Sequence, residues 1–265
     1  MKKIVLSLFV AVVMAVPSFA AAYNSADRVT TVGTQLLNKN GIAIQNVKFT
    51  VVSGEVNNSE FTTDKVVNIS SSKLSYAGND NETAAVIANE LGHLIAGHSS
   101  KDKVMTSLQV ASGTEIQTSD LVSAAAISYK STKEEKEADA IASNLMVNAG
   151  YNPLALIVVL TKQTGTYWDT IQGRPANAER AMAAYDYIAA VFPAKVKAGY
   201  GCNEYRNFLT YASSVQELRK NSKALQKKAD KDVAKAKKQA NKIQKFKIRG
   251  GRSAWDAVYG LMTAE

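Results

Sequence analysis

The sequence predicts an α+β fold that is mainly α, with one small sheet and a long basic helix toward the C-terminus. Apolar residues recur at helical spacing in several segments, and β-branched residues concentrate between positions 43 and 69. Residues 216–252 hold 14 Lys and Arg against three acids, a net charge of +11, whereas the whole chain carries +9 and the remainder therefore −2. Such asymmetry is typical of an interaction segment attached to a folded body.

The first 22 residues are typical of a secretory signal peptide. Lys2 and Lys3 precede an apolar run from 4 to 16, and small residues follow up to Ala22. This run is too short to span a bilayer comfortably, and no later run approaches membrane length. We expect an exported protein, periplasmic or extracellular, with no transmembrane segment after the signal; an uncleaved anchor is the alternative. The single Cys202 excludes an internal disulfide.

Residues 23–78 are expected to form one helix and a small sheet. The helix covers 23–38 and ends at a turn-forming Asn-Lys-Asn-Gly stretch. Residues 43–53 form a strand because their β-branched and aromatic side chains partly alternate with polar ones. Two further short strands are predicted at 61–63 and 66–69, and residues 70–78 form a loop.

Helices are predicted to fill the rest of the chain. Asn79 offers an N-cap for the first of them, and Gly150 with Pro153 ends the third. The predicted ranges are 82–98, 119–130, 132–148, 153–163 and 176–192, the last closed by Pro193, and then, beyond a transition at 196–214, one Lys- and Ala-rich helix over 215–246. Residues 255–261 form an apolar hook that can dock back on the body.

Residues 89–98 read NELGHLIAGH, and this segment carries the most informative pattern. A histidine at position 89 would complete H-E-x-x-H, in which two histidines four apart bind zinc and the glutamate takes a proton from metal-bound water. Glu90 and His93 are in place. Asn89 offers only a neutral amide oxygen, which suits harder ions better than zinc.

A catalytic zinc takes three protein ligands, so another ligand must come from elsewhere. Glu135 and Asp139 are four residues apart on one predicted helix face, so one can bind metal while the other orients a ligand. The alternative is a solvated, charged helix surface. His98, the only other histidine, lies nine residues beyond position 89, too far along a helix for the same ion. We expect His98 to pack or to form hydrogen bonds.

Together these motifs resemble the HtpX-like and CAAX-prenyl-protease-like zinc metallopeptidases, especially their secreted BepA-like bacterial members. That family reads H-E-x-x-H-x-x-x-x-H, E-x-x-x-D, A-G-Y-D-P and T-H-P-x-x-x-x-R, and the resemblance covers roughly 25–195. It implies a zincin-type peptidase domain over 23–195, with the active-site helix packed on a small sheet, followed by a helical extension over 196–265. It assigns Glu90 as the catalytic base, His93 and Glu135 as zinc ligands with Asn89 as a degenerate one, and Asp139, Arg174, Arg180 and His98 as surrounding residues.

Two departures from the family pattern weaken the expected zinc site. Asn89 replaces the first zinc-binding histidine, and Arg174 replaces the T-H-P histidine that the family keeps close to the metal. We therefore expect zinc to bind weakly or not at all, in an exported peptidase-family protein whose proteolysis is weak or lost. The first alternative is an active zinc metalloendopeptidase of envelope protein quality control that uses Asn89, His93 and Glu135.

A second alternative is a non-catalytic module that binds extended or unfolded polypeptides, or anionic envelope components. In the family an edge strand pairs with extended substrate, and residues 66–69 are the candidate strand. The basic segment 216–252 lacks aromatic interleaving apart from Phe246, and export argues against nucleic acid as a physiological partner. Anionic envelope material fits this segment better, without deep membrane insertion because its apolar stripe is narrow and Ala-rich. The alternative is a solvated helix that packs on the body or on a second copy.

Overall fold

A computed structural model describes residues 26–53, 65–98, 120–163 and 177–264, together with 100–101, 104–105 and 108. The signal peptide, the predicted strand at 61–63 and Arg174 lie outside these residues. Thirteen elements follow one another in the described ranges: α1 (Ala26–Lys39), β1 (Lys48–Val52), β2 (Val66–Ser70), α2 (Ser71–Leu74), α3 (Asp80–Ala96), α4 (Asp120–Asn148), α5 (Leu154–Lys162), α6 (Ala178–Val191), α7 (Pro193–Ala198), α8 (Asn203–Lys220), α9 (Lys223–Ala240), α10 (Lys242–Ile248) and α11 (Ala254–Thr263). The fold class is confirmed as mainly α with a small sheet.

The sheet has two parallel strands in the described part of the chain, with Lys48 opposite Val66 and Val52 opposite Ser70. Phe49 points from β1 onto α1, where a Cβ at Gly33 would lie 2.5 Å from the Phe49 ring. Glycine is therefore required for this close approach. Val67 and Ile69 of β2 are fully buried. The sheet is thus sealed against α1 and against the central helix α3.

Helix α3 is the centre of the fold. Asn79 caps it by accepting a hydrogen bond from the Glu82 amide at 3.0 Å, and Gly97 ends it in the left-handed conformation. Thirteen of its 17 residues are buried. It crosses α4 so closely that a Cβ at Gly92 would lie 2.5 Å from the Ala138 carbonyl oxygen. The backbone of α3 is therefore held directly against the helix that carries the acidic residues.

Several predicted boundaries are wrong, for local reasons. The predicted helices at 119–130 and 132–148 are one helix, α4, because no Gly or Pro interrupts the sequence. Part of the predicted loop at 70–78 is the short helix α2. The preceding helix ends before Pro193 as predicted, but Pro193 also begins the unpredicted helix α7, since a first-turn proline needs no amide partner. The predicted transition at 196–214 is mostly helical, in α7 and α8.

The long helix predicted over 215–246 is also wrong, because three helices cover it. Ser222 caps α9 by accepting from the Leu225 amide, and Asn241 separates α9 from α10. These helices lie on the body: Ala229 and Ala240 of α9 and Phe246 of α10 are buried, and α9 contacts α4 and α6. No helix in the described ranges is long and apolar enough to cross a membrane.

The predicted apolar hook is wrong in part: its start contacts the body, but Val258 and Leu261 are 40% and 80% exposed. Buried Ser253 lies against the end of α3, where a Cβ at Gly97 would be 2.6 Å from the Ser253 hydroxyl oxygen. Ser253 and Asp256 form a reciprocal capping box that starts α11. The thiol of Cys202 is free and half-buried, and it caps α8 by accepting from the Tyr205 amide.

Candidate functional site

The candidate site lies where α3 faces α4, with α2 and α6 contributing one residue each. Helix α3 supplies Asn89, Glu90 and His93. Asn89 and His93 are four residues apart and share one helix face, and Glu90 lies next to Asn89. Asn89 and Glu90 are buried, with 5% and 4% of their surface exposed. The expectation that α4 brings carboxylates to this face agrees with the contacts described next, so these acids are not a solvated surface.

His93 and Glu135 lie next to each other with their metal-binding atoms facing. The Nε2 atom of His93 is 3.2 Å from Oε1 of Glu135. Two ligands of one tetrahedral zinc are separated by about 3.3 Å, given Zn–N and Zn–O bonds of about 2.0–2.1 Å. This half of the site therefore has the spacing of a metal-binding pair as well as that of a hydrogen bond.

Asn89 makes a different contact. Its amide nitrogen donates to Oδ1 of Asp139 at 2.9 Å, and both side chains are buried. A zinc-binding histidine gives its second ring N–H to such a carboxylate while its other nitrogen holds the ion. The Asn89 amide reproduces the outer hydrogen bond but has no second nitrogen, so only its neutral oxygen remains for an ion.

Arg180 of α6 binds both carboxylates of α4. It donates through Nε and a terminal nitrogen to the two Asp139 oxygens at 2.6 and 2.8 Å, and its terminal nitrogen lies 2.6 Å from Glu135. Burial by itself would raise the pKa of Glu135, but Arg180 and then His93 hold that pKa well below its usual range. Burial would lower the pKa of Arg180, and Asp139 and Glu135 raise it instead. Burial raises the pKa of Asp139, although Arg180 opposes that rise. Arg180 therefore compensates the charge of both carboxylates.

Lys73 is a site residue that sequence analysis missed. It lies on the short helix α2, directly after β2, and its ammonium donates to Oε1 of Glu90 at 2.7 Å. The Glu90 carboxylate is buried, so this contact is a charge-assisted hydrogen bond in a low-dielectric environment. A lysine within a predicted loop carries no spacing signal, and only the fold brings it to α3.

His98 lies beside His93, although the helical distance suggested otherwise. The two Nδ1 atoms are 2.9 Å apart, so one ring donates to the other, and the ring centroids are 5.0 Å apart. The left-handed residue Gly97 ends α3 and turns the chain so that His98 faces back along it. The hydrogen-bonding interpretation of His98 agrees with this geometry.

Glu137 is the second residue that sequence analysis missed. Its Oε2 atom is 3.7 Å from Nε2 of His98 and accepts from Gln239 at 3.0 Å, and its Oε1 pairs with Lys242. Burial would raise the pKa of Glu137, but the nearby His98 and Lys242 lower it to about 2. Glu137 lies two residues after Glu135 in a run of charged residues, so no signal in the sequence distinguished it from its neighbours. Through Glu137 the basic C-terminal helices touch the site.

The donor set does not fit a catalytic zinc centre. His93 and Glu135 face each other, but among the described residues no three His, Cys, Asp or Glu side chains are grouped to hold a metal ion. Three carboxylates (Glu90, Glu135 and Asp139) already face two protein cations (Lys73 and Arg180). With all three carboxylates ionised the cluster would carry one negative charge, and a dication would make it positive.

Comparison with known proteins gives one match. The model of a family described as Peptidase family M48 matches residues 24–188, more than half of the chain, and this range includes every residue predicted for the site. No curated protein and no solved structure matches the chain.

Proposed function

Because the chain belongs to peptidase family M48, whose members are typically zinc metallopeptidases, we propose that it is an exported envelope protein in which zinc binding and proteolysis are weak or lost. The metallopeptidase resemblance inferred from the motifs is confirmed at the level of this family. The secreted BepA-like branch stays a prediction.

The observation that carries this proposal is the ion pair of Lys73 with Glu90. A general base must present a free carboxylate oxygen to the water that it deprotonates. Here Oε1 of the buried Glu90 accepts from an ammonium at 2.7 Å, so this one of the two oxygens is not available to a water. Lys73 also places a positive charge beside the ligands, which opposes a second cation there. Asn89 acts in the same direction, since an amide oxygen binds zinc less well than an imidazole does.

Zinc content and cleavage of an unstructured substrate test the proposal. For the purified mature protein we expect substoichiometric zinc and no casein cleavage that depends on Glu90. The double variant Asn89→His with Lys73→Met should bind zinc at least about tenfold more tightly, because it restores a ligand and removes a competing charge. Lys133→Met, at an exposed lysine of α4, is the matched control and should bind as the wild type does. Stoichiometric zinc, with cleavage that Glu90→Gln abolishes, would overturn the proposal.

A second candidate function is an active metalloendopeptidase that uses Asn89, His93 and Glu135. The 3.2 Å approach of His93 to Glu135 favours it, because these two atoms already have the separation of two zinc ligands. The experiment above separates the two functions. The active enzyme requires full metal occupancy in the wild type and loss of that metal in His93→Ala.

We also propose that the edge of β2 opposite β1 binds extended polypeptide without cleaving it. Strand β2 runs directly into α2, so a chain that lies along β2 reaches the neighbourhood of Lys73 and Glu90. Reduced, carboxymethylated lactalbumin should bind saturably and stay intact, whereas native lactalbumin should not bind. Equal binding of both forms would contradict recognition of extended chains.

Export and an anionic partner complete the proposal. Cleavage after Ala20 or Ala22 should appear in the mass of the mature protein from the envelope fraction of an expressing bacterium. The partner of residues 216–252 is proposed to be anionic envelope material, because five exposed lysines of α9 share the face opposite buried Ala229 and Ala240. These are Lys223, Lys227, Lys231, Lys235 and Lys238.

A further inference from the structure

Helix α11 leaves large apolar side chains exposed at the C-terminal end of the described chain. None of its residues is buried. Leu261 is 80% exposed, and Ile248, at the end of α10, is 85% exposed; these are the two most exposed large apolar residues in the described ranges. Single exposed leucines are ordinary, but two such highly exposed apolar side chains within one short stretch indicate a surface that binds a partner.

The exposed apolar residues of α11 share one face of the helix. At 100° per residue, Ala254, Val258, Leu261 and Met262 fall within one arc, and Asp256, Gly260 and Thr263 fall on the other side. The side that carries Asp256 faces the body at the start of the helix, because Asp256 accepts from the Ser100 hydroxyl and Trp255 lies beside Gly97. The apolar side therefore faces away from the body.

Basic residues directly precede this apolar helix in the chain. Between 245 and 262 the chain has four cations, Lys245, Lys247, Arg249 and Arg252, and one acid, Asp256. Arg249 and Arg252 are exposed. A helix of ten residues is about 15 Å long, too short to cross a bilayer but long enough to lie in its interface. An apolar face with adjacent cations matches the acyl region and the anionic headgroups of such an interface.

We propose that residues 245–262 form an interfacial anchor for an anionic bilayer, with Val258, Leu261 and Met262 among the acyl chains and Arg249 and Arg252 at the headgroups. A purely anionic polysaccharide would use the cations but would have no need of the apolar face. The bilayer uses both features and is therefore the favoured partner. This anchor is independent of zinc binding and of proteolysis.

Sedimentation with vesicles tests the anchor on the full mature chain. We expect binding to vesicles of phosphatidylglycerol and phosphatidylcholine, and at least tenfold weaker binding to phosphatidylcholine alone. Leu261→Gln with Met262→Gln should weaken binding to the anionic vesicles at least tenfold, and so should Arg249→Gln with Arg252→Gln. Leu218→Gln is the matched control, because Leu218 is also an exposed leucine (62%) but lies on α8. It should bind as the wild type does.

Two results would overturn the proposal. If Leu261→Gln with Met262→Gln binds anionic vesicles as tightly as the wild type does, the attraction is one of charge alone and the apolar face is not used. If light scattering without lipid detects a dimer that the same variant abolishes, the face belongs to a second copy of the chain. Since these side chains are exposed, circular dichroism of each variant should match the wild type, which separates loss of binding from loss of fold.

Discussion

Helix α3 and helix α9 have nearly equal lengths but very different environments. Thirteen of the 17 residues of α3 are buried, whereas two of the 18 residues of α9, Ala229 and Ala240, are buried. The polar groups of α3 have partners inside the protein, and α9 is held at one edge by Gln239, which donates to Glu137. The chemistry of the molecule is therefore concentrated on α3, and α9 can change its sequence at little structural cost.

The largest effect is expected at Arg180, which compensates the carboxylates that face α3. Arg180→Met should lower the free energy of unfolding by about 3–5 kcal/mol, because Glu135 and Asp139 would remain buried without their cation. Urea denaturation measures this loss. Arg219→Met is the matched control near α9: Arg219 pairs with Asp186 alone, at 2.8 Å, and its loss should cost clearly less. Equal losses in the two variants would show that burial of the carboxylates beside α3 does not determine the free energy that their ion pairs contribute.

Glycine-to-alanine changes in the buried helix α3 and in the exposed helix α11 should change the free energy of unfolding in opposite directions. Gly92→Ala places a Cβ 2.5 Å from the Ala138 carbonyl oxygen, so we expect a loss of about 1–3 kcal/mol in thermal or urea unfolding. Gly260→Ala, in the exposed helix α11, meets nothing within 4 Å. It should gain up to about 1 kcal/mol from helix propensity. A gain at Gly92 would mean that α3 and α4 pack less closely than described.

Glu137 joins the two regions, and its removal should change the pH dependence of stability. Its pKa is lowered from 4.5 to about 2, so its stabilising effect is complete above pH 4.5 and disappears as the pH falls through about 2. Glu137→Gln should cost about 1–2 kcal/mol at neutral pH and should flatten the decline of stability between pH 4.5 and 2. Acid unfolding followed by circular dichroism measures this slope. Lys242→Met, which removes one partner, should give an intermediate slope; a slope identical to the wild type in both variants would contradict the link.

The smallest effect is expected on the lysine face of α9. Lys231→Ala with Lys235→Ala should change the free energy of unfolding by no more than about 0.5 kcal/mol, since both side chains are exposed. The same variant should elute from an anionic column at lower salt if this face binds anionic material. Unchanged elution would restrict the interaction to other basic residues.

The sequence predicted helices and strands better than it predicted the side-chain contacts between them. Residues 82–98 and 66–69 were placed within about two residues of α3 and β2, because a strong apolar pattern determines both. The breaks at Ser222 and Asn241 were missed because the helix propensity of Lys and Ala concealed two capping residues. Lys73 could not be predicted, since its contact with Glu90 depends on the fold alone.

The close fit of Ser253 against Gly97 has a consequence for the order in which the chain is completed. The hydroxyl of Ser100 donates to Asp256, 156 positions later, so the end of α3 is completed by residues that are synthesised after helices α4 to α10. Contacts of such long sequence separation form late and slow folding, because the loop between them must close first. A nascent chain therefore holds an incomplete α3 terminus until residues 253–256 emerge.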